Sequence, residues 1–167
     1  MNDVLYAPWR DEYTMRDKIE GCVFCYISSH SDEDQKQHVL YRDEHCFMVM
    51  NEYPYTPGHF MIIPNMHTDK LEDLPSDTWL HMAALAQQGV RLLKEGMNAK
   101  GVNIGMNLGA AAGAGIAEHI HLHLVPRWER DTNFITSISH TRVYSTDFEK
   151  IYKKIKDLLP KYIKNFS

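Results

Sequence analysis

Alternating runs and three-and-four spacings of apolar residues divide the chain into segments that predict its architecture. His38 to Arg42 and Cys46 to Asn51 read as strands joined by the turn-forming Asp43-Glu44. His59 to Pro64, after the turn signal Pro57-Gly58, reads as a third, so the three predict an antiparallel meander. From Ser76 to Met97 the period becomes helical, with Trp79, Met82, Ala83, Ala86, Val90, Leu93 and Met97 recurring at threes and fours. Ser76 stands where a helix cap belongs, and Asp77 falls in the first turn, where the dipole favours negative charge. The β pattern returns in Val102 to Leu108, a glycine-alanine loop fills 109–115, and Glu118 to Arg127 alternates as a fifth strand. Tyr144 to Leu159 predicts a closing helix, with Phe148, Ile151, Ile155 and Leu158 on one face and Pro160 ending it.

These segments predict an α+β domain in which a five-stranded antiparallel meander sheet carries one long helix and a C-terminal helix. Residues 1–20 mix Tyr6, Trp9 and Tyr13 with charges and predict an N-terminal arm, 21–145 the domain proper, and 146–167 a helix and tail packed on it. The polar stretch Ser28 to Gln37 predicts an exposed loop with local disorder.

The chain has 167 residues, one domain's worth, and with 44% hydrophobic and 24% charged residues it is neither disordered nor fibrous. Three cysteines are too few for a disulfide scaffold, the start carries no apolar leader and no apolar run is long enough to span a bilayer. A cytoplasmic protein without a membrane partner is expected. The net charge of −4 hides an asymmetry. From Glu149 onward six lysines face two acids, +4, which leaves 12 basic against 20 acidic residues, −8, elsewhere. That balance excludes a generally basic nucleic-acid binder, and the lysine-rich end reads as a solvated helix face.

Glu118 to Arg127 carries the most chemistry. Strand side chains alternate, so His119, His121 and His123 share one face while Ile120, Leu122 and Leu124 take the other. Three imidazoles in a row suit either a metal or a nucleophile with its proton carriers. Cys22-Val23-Phe24-Cys25 has the spacing of half a zinc site, of a redox pair or of two buried thiols. Cys46, inside an apolar strand, reads as core. The loop Gly109 to Gly115 reads as a flexible connector or, placed just before three histidines, as a phosphate-cradling nest through Gly113 and Gly115.

His119-Ile-His121-Leu-His123-Leu-Val125 resembles the motif of the histidine triad family. Asn51, Pro57-Gly58-His59, Ile62-Ile63-Pro64, and Asn107 with Gly109 match in order, so the resemblance spans roughly 20 to 140. Met106 to Gly109, Val125 to Trp128 and Asn133 to Thr136 are similar to segments of the branch containing Fhit-like dinucleoside polyphosphate hydrolases and bacterial diadenosine tetraphosphate phosphorylases. The resemblance implies nucleotidyl transfer at an α-phosphate, with His121 as the nucleophile that forms a nucleotidyl-histidine. It implies that His123 hydrogen-bonds phosphate oxygens, that His119 supports the site and that Asn51 contacts the ribose, while His59, after Pro57-Gly58, reads as a buried hydrogen-bonding residue behind the nucleophile. Where Fhit-like hydrolases carry Gln, four residues before the first histidine, this chain has Gly115, so phosphate becomes the favoured acceptor over water.

The resemblance also implies a structural zinc ion held by Cys22, Cys25, His67 and His119, no organic cofactor, and a homodimer whose sheet continues across the subunits through the helix from Ser76 and the strand after Gly101. Competing expectations are a Hint-type nucleoside phosphoramidase and a nucleotide-binding regulatory protein. His30, His38, His45, His81 and His140 have no partner that the sequence names.

Overall fold

A computed structural model of the protein describes residues 21–129, 131 and 146–164; the expected N-terminal arm, Asn133 to Thr136 and His140 lie outside the described residues. Strands β1 (Val39–Arg42), β2 (Cys46–Met50) and β3 (Phe60–Pro64) form the expected meander. Beyond them the order departs from a simple meander. Strand β5 (Leu122–Arg127) inserts between β3 and β4 (Gly101–Gly105), giving the antiparallel order β1-β2-β3-β5-β4. Residue character explains the swap, because Leu122 and Leu124 suit an interior strand, while Gly101, Asn103 and Gly105 suit a rim.

One sheet face carries the main core. Met48, Met50, Phe60, Ile62, Leu122 and Leu124 meet helix α2 (Ser76–Arg91), which continues as a π-helical turn over Leu92–Gly96, and helix α3 (Phe148–Tyr162). Gly89 permits the close crossing of α2, since a Cβ there would lie 2.8 Å from Leu124 Cδ2. Pro75, not Ser76, caps α2, while Asp77 occupies the first turn and its carboxylate accepts the Thr78 N–H. Helix α3 starts four residues later than expected, where Asp147 caps it, and it runs through Pro160. Proline removes one hydrogen bond, but Tyr162 and Ile163 beyond it are buried in the core, and that burial outweighs the loss. Lys150, Lys153, Lys154, Lys161 and Lys164 are solvated as expected, whereas Lys156 donates to the Val39 and Leu40 carbonyls, both at 2.9 Å.

The other face is covered only in part. A short helix, α1 (Val23–Ser29), unanticipated in sequence, lays Phe24 and Ile27 against Val39, Phe47, Val49, Met61 and Ile63. Among the described residues, no helix covers this face over β5 and β4. The Ser28–Gln37 stretch is built rather than disordered: a 3-10 turn spans Ser31–Glu33, and Arg42 grips the Asp34 carboxylate and the carbonyls of Ile27 and Ser28. No helix among the described residues is long and apolar enough to cross a membrane.

Candidate active site

The alternation holds over Leu122–Arg127, but the strand begins only there, and His119, Ile120 and His121 ahead of it are all buried. Ahead of it the imidazoles occupy backbone groups that a ladder would use. His119 Nε2 donates to the Pro64 carbonyl at 3.0 Å, and His121 Nδ1 donates to the His119 carbonyl at 2.9 Å. Ile120 N–H turns to the Thr68 carbonyl instead.

These contacts assign the protons, because a carbonyl can only accept and a backbone N–H can only donate. In neutral His121 the proton is on Nδ1, which leaves a bare lone pair on Nε2. His59, fully buried at the entrance to β3, accepts the Tyr55 N–H at Nδ1 (3.2 Å) and so donates from Nε2 to His123 Nδ1 at 2.9 Å. His123 therefore keeps its own proton on Nε2. A nucleophilic nitrogen and an N–H donor thus stand on neighbouring rings, 4.8 Å apart between centroids.

Burial, then the neighbouring His123 and His121, push His59 down to about 3; burial and His121 push His123 down to about 4. Both rings are thereby held toward their neutral forms in the free protein. Beside it a cavity of about 530 Å³ is lined by Tyr55, Gly105, Asn107, His123 and Arg127, among others. Gly105 pairs with His123 across the β4–β5 ladder and leaves open space above it.

The remaining sequence candidates divide. Asn107 lines the cavity with His123. Asn51 lies against His59, its amide 3.4 Å from the ring nitrogens and its oxygen accepting the Tyr53 N–H. The loop does not form the open nest expected at Gly113, whose N–H is spent on the Ala110 carbonyl at 3.0 Å, as Ala112 N–H is on Gly109 at 3.2 Å. Gly113 instead supplies a left-handed turn at φ 87°, while Gly115 faces open space.

The two cysteines, His67 and His119 come together, one ligand atom from each lying within 4.8 Å of the others. His119 Nδ1, unprotonated because Nε2 carries the hydrogen, faces Cys22 Sγ at 3.3 Å and Cys25 Sγ at 3.7 Å; His67 Nδ1 is 3.2 Å from Cys25 Sγ. Burial and the adjacent Cys22 push the Cys25 thiol up to about 11. Two thiols and two imidazoles are the donor set of a closed tetrahedral zinc site. One cluster thus adjoins the other through His119.

A HIT domain model matches residues 32–130. The chain belongs to the HIT family. It is 41% identical over 120 residues to an AP-4-A phosphorylase of Mycobacterium tuberculosis, an overlap of 72% of this chain and 60% of that relative, so it spans about three fifths of the relative's length. It is 28% identical to an adenosine 5'-monophosphoramidase of Saccharomyces cerevisiae, covering 84% of this chain and 82% of the other. Among solved structures, a zinc-bound histidine triad family protein of Mycobacterium smegmatis superposes with a TM-score of 0.69 at 34% identity, covering 84% of this chain and 94% of that one.

Two residues of this HIT domain's site escaped sequence reasoning. Phe24, between the cysteines, packs its ring 5.6 Å from His119 and 5.2 Å from His121. Tyr55 sets the tautomer of His59 through its N–H, and its ring lies tilted against that of His59, 4.9 Å between centroids. The signals were an aromatic inside the C-x-x-C and another just before Thr-Pro-Gly-His, neither with a spacing that distinguishes site from core. His30 stacks on Tyr26, and His38 pins α3 through Glu149, Phe148 and Tyr152. His45 and His81 meet each other.

Proposed function

We propose that this protein transfers a nucleotidyl group from a dinucleoside polyphosphate, such as diadenosine tetraphosphate, to inorganic phosphate through a nucleotidyl-histidine at His121. The observation that carries this reading is the bare Nε2 of His121 beside the Nε2–H of His123. His121 Nε2 attacks the α-phosphorus, a P–N bond forms, and the departing nucleoside polyphosphate leaves with the bridging oxygen. Positive charge gained by the ring is stabilised by the His119 carbonyl, which accepts the Nδ1–H throughout. His123 donates to a non-bridging oxygen, held in that tautomer by His59 and Tyr55. A phosphate oxygen then attacks the same phosphorus and breaks the P–N bond.

The identity to an AP-4-A phosphorylase supports phosphate as the acceptor, as does the open space at Gly115. Asn51 and Asn107 are proposed to meet the nucleotide, and His59 to position His123. The set Cys22, Cys25, His67 and His119 would hold a zinc ion that ties α1 to the catalytic segment, and the zinc-bound relative supports this. Bound zinc supplies a structural crosslink and leaves the group transfer to the histidines. Ile104 and Leu108, exposed at the β4 rim, support a homodimer with a shared sheet.

Product analysis with and without phosphate tests the reaction. Diadenosine tetraphosphate should yield ADP and ATP only when phosphate is present, and His121→Ala should yield neither. AMP and ATP formed at equal rates with and without phosphate would establish water as the acceptor.

A further inference from the structure

A second group of ligand-type side chains lies at the β1–β2 turn, on the helix-covered side of the sheet, and the nucleotidyl-transfer chemistry makes no use of it. Asp43 anchors it. Its Oδ1 accepts the backbone N–H groups of His45 and Cys46, both at 2.9 Å, and its Oδ2 lies 2.6 Å from His81 Nε2 on α2. The Tyr41 hydroxyl and the Cys46 thiol also hydrogen-bond this carboxylate. His81 and Asp43 expose only 13% and 18% of their side chains, and Cys46 none. One ligand atom each from Asp43, Cys46 and His81 lies within 4.8 Å of the others.

We propose that Asp43, Cys46 and His81 form a second metal site, for a divalent ion of the zinc class, with His45 as the fourth donor. Ligand chemistry and charge both favour it. Thiolate, imidazole and carboxylate are the donors that zinc takes, at about 2.3 Å for sulfur and about 2.0–2.2 Å for nitrogen and oxygen. Tetrahedral geometry then requires ligand atoms roughly 3.3–3.6 Å apart. The Asp43–His81 pair opens by less than about 1 Å to reach that spacing, and no pair among Asp43, Cys46 and His81 starts more than 4.8 Å apart. His45, its side chain 32% exposed and its ring centroid 4.8 Å from that of His81, stands at the mouth of this group and would turn inward to supply the fourth donor.

With Cys46 a thiol, the Asp43 carboxylate brings a negative charge into a largely buried place. A divalent ion removes it. The ion displaces the Cys46 thiol proton to solvent and forms the metal–sulfur bond; His81 moves its hydrogen from Nε2 to Nδ1 and binds through Nε2. One proton is released and nothing is oxidised or reduced. The site then carries two negative ligands against two positive charges, and it joins the turn to α2.

Metal counting on the full-length protein tests the proposal independently of the Cys22–Cys25 cluster. Protein stripped by a chelator and titrated with zinc should bind two equivalents, His81→Gln one, and Cys22→Ser/Cys25→Ser one. Cobalt added to the Cys22→Ser/Cys25→Ser protein should produce a thiolate charge-transfer band that Cys46→Ala abolishes, with circular dichroism checking that each variant is folded. Zinc should raise the thermal midpoint of the double-serine protein and should fail to do so once His81→Gln is added. Binding of less than about 0.2 equivalents by the double-serine protein, or a midpoint that His81→Gln lowers equally with and without zinc, would overturn the site and leave a structural Asp–His pair.

Discussion

Acid attacks this protein first through the two neutral imidazoles that set up the site. His59 and His123 stay neutral in the folded protein down to about pH 3 and 4, against an ordinary value of 6.5. The unfolded chain protonates both rings as the pH falls through 6.5, so between 6.5 and about 4 it binds more protons than the native state. Stability from this source is fully present above 6.5 and drains away as the pH falls below it. At pH 5.0 each ring favours the unfolded state by RT times the logarithm of about 30, roughly 2 kcal/mol. Together they cost at most about 4 kcal/mol, a large share of the roughly 5–15 kcal/mol that holds a domain folded. Urea unfolding at pH 7.5 and 5.0, in wild type and in His59→Gln, measures the effect. Glutamine keeps a donor near His123 and cannot titrate, so the variant should lose about 2 kcal/mol less between the two pH values. Carboxylates, other histidines and metal release act alike in both proteins and cancel in the comparison. A His59→Gln protein whose stability falls with acid as steeply as that of wild type refutes the reasoning.

Three further outcomes follow from particular contacts. His121→Ala should lower kcat by at least about 10³-fold while the protein remains folded, measured by steady-state turnover of diadenosine tetraphosphate with circular dichroism as control. Cys22→Ser should lower bound zinc by about one equivalent in metal analysis, and a loss of less than about half an equivalent would rule out that site. Gly89→Ala places a Cβ 2.8 Å from Leu124 Cδ2 and 3.0 Å from Phe60 Cζ, both in the closed core. Overpacking costs about 1–3 kcal/mol against a gain of about 1 kcal/mol in helix propensity, so the urea midpoint should fall by the equivalent of about 1 kcal/mol.

Much of the site was legible along the chain because its residues are neighbours in sequence. His119, His121 and His123 sit at period two, a spacing that marks them as one group along the chain, although only His123 falls within the strand itself. The long helix was legible for a similar reason, since an amphipathic period over five turns has few other solutions. Ends and exceptions were not. Pro160 ended the helix by local rules, and buried Tyr162 overrode them. Gly113 offered a nest by composition, but its N–H was taken by Ala110.

The sequence by itself determined the period-two run of histidines at 119, 121 and 123, the C-x-x-C spacing of Cys22 and Cys25, and the acidic balance of the chain. Only the tertiary structure decided which nitrogen of each ring carries a proton, because those protons answer to Pro64, His119, Tyr55 and His59, whose carbonyls, N–H groups and rings are brought together from three separate segments. It alone also joined His81 to Asp43 and Cys46 across 38 residues of chain. Periodicity reports which face a side chain takes; hydrogen bonds and charge depend on what the fold puts opposite it.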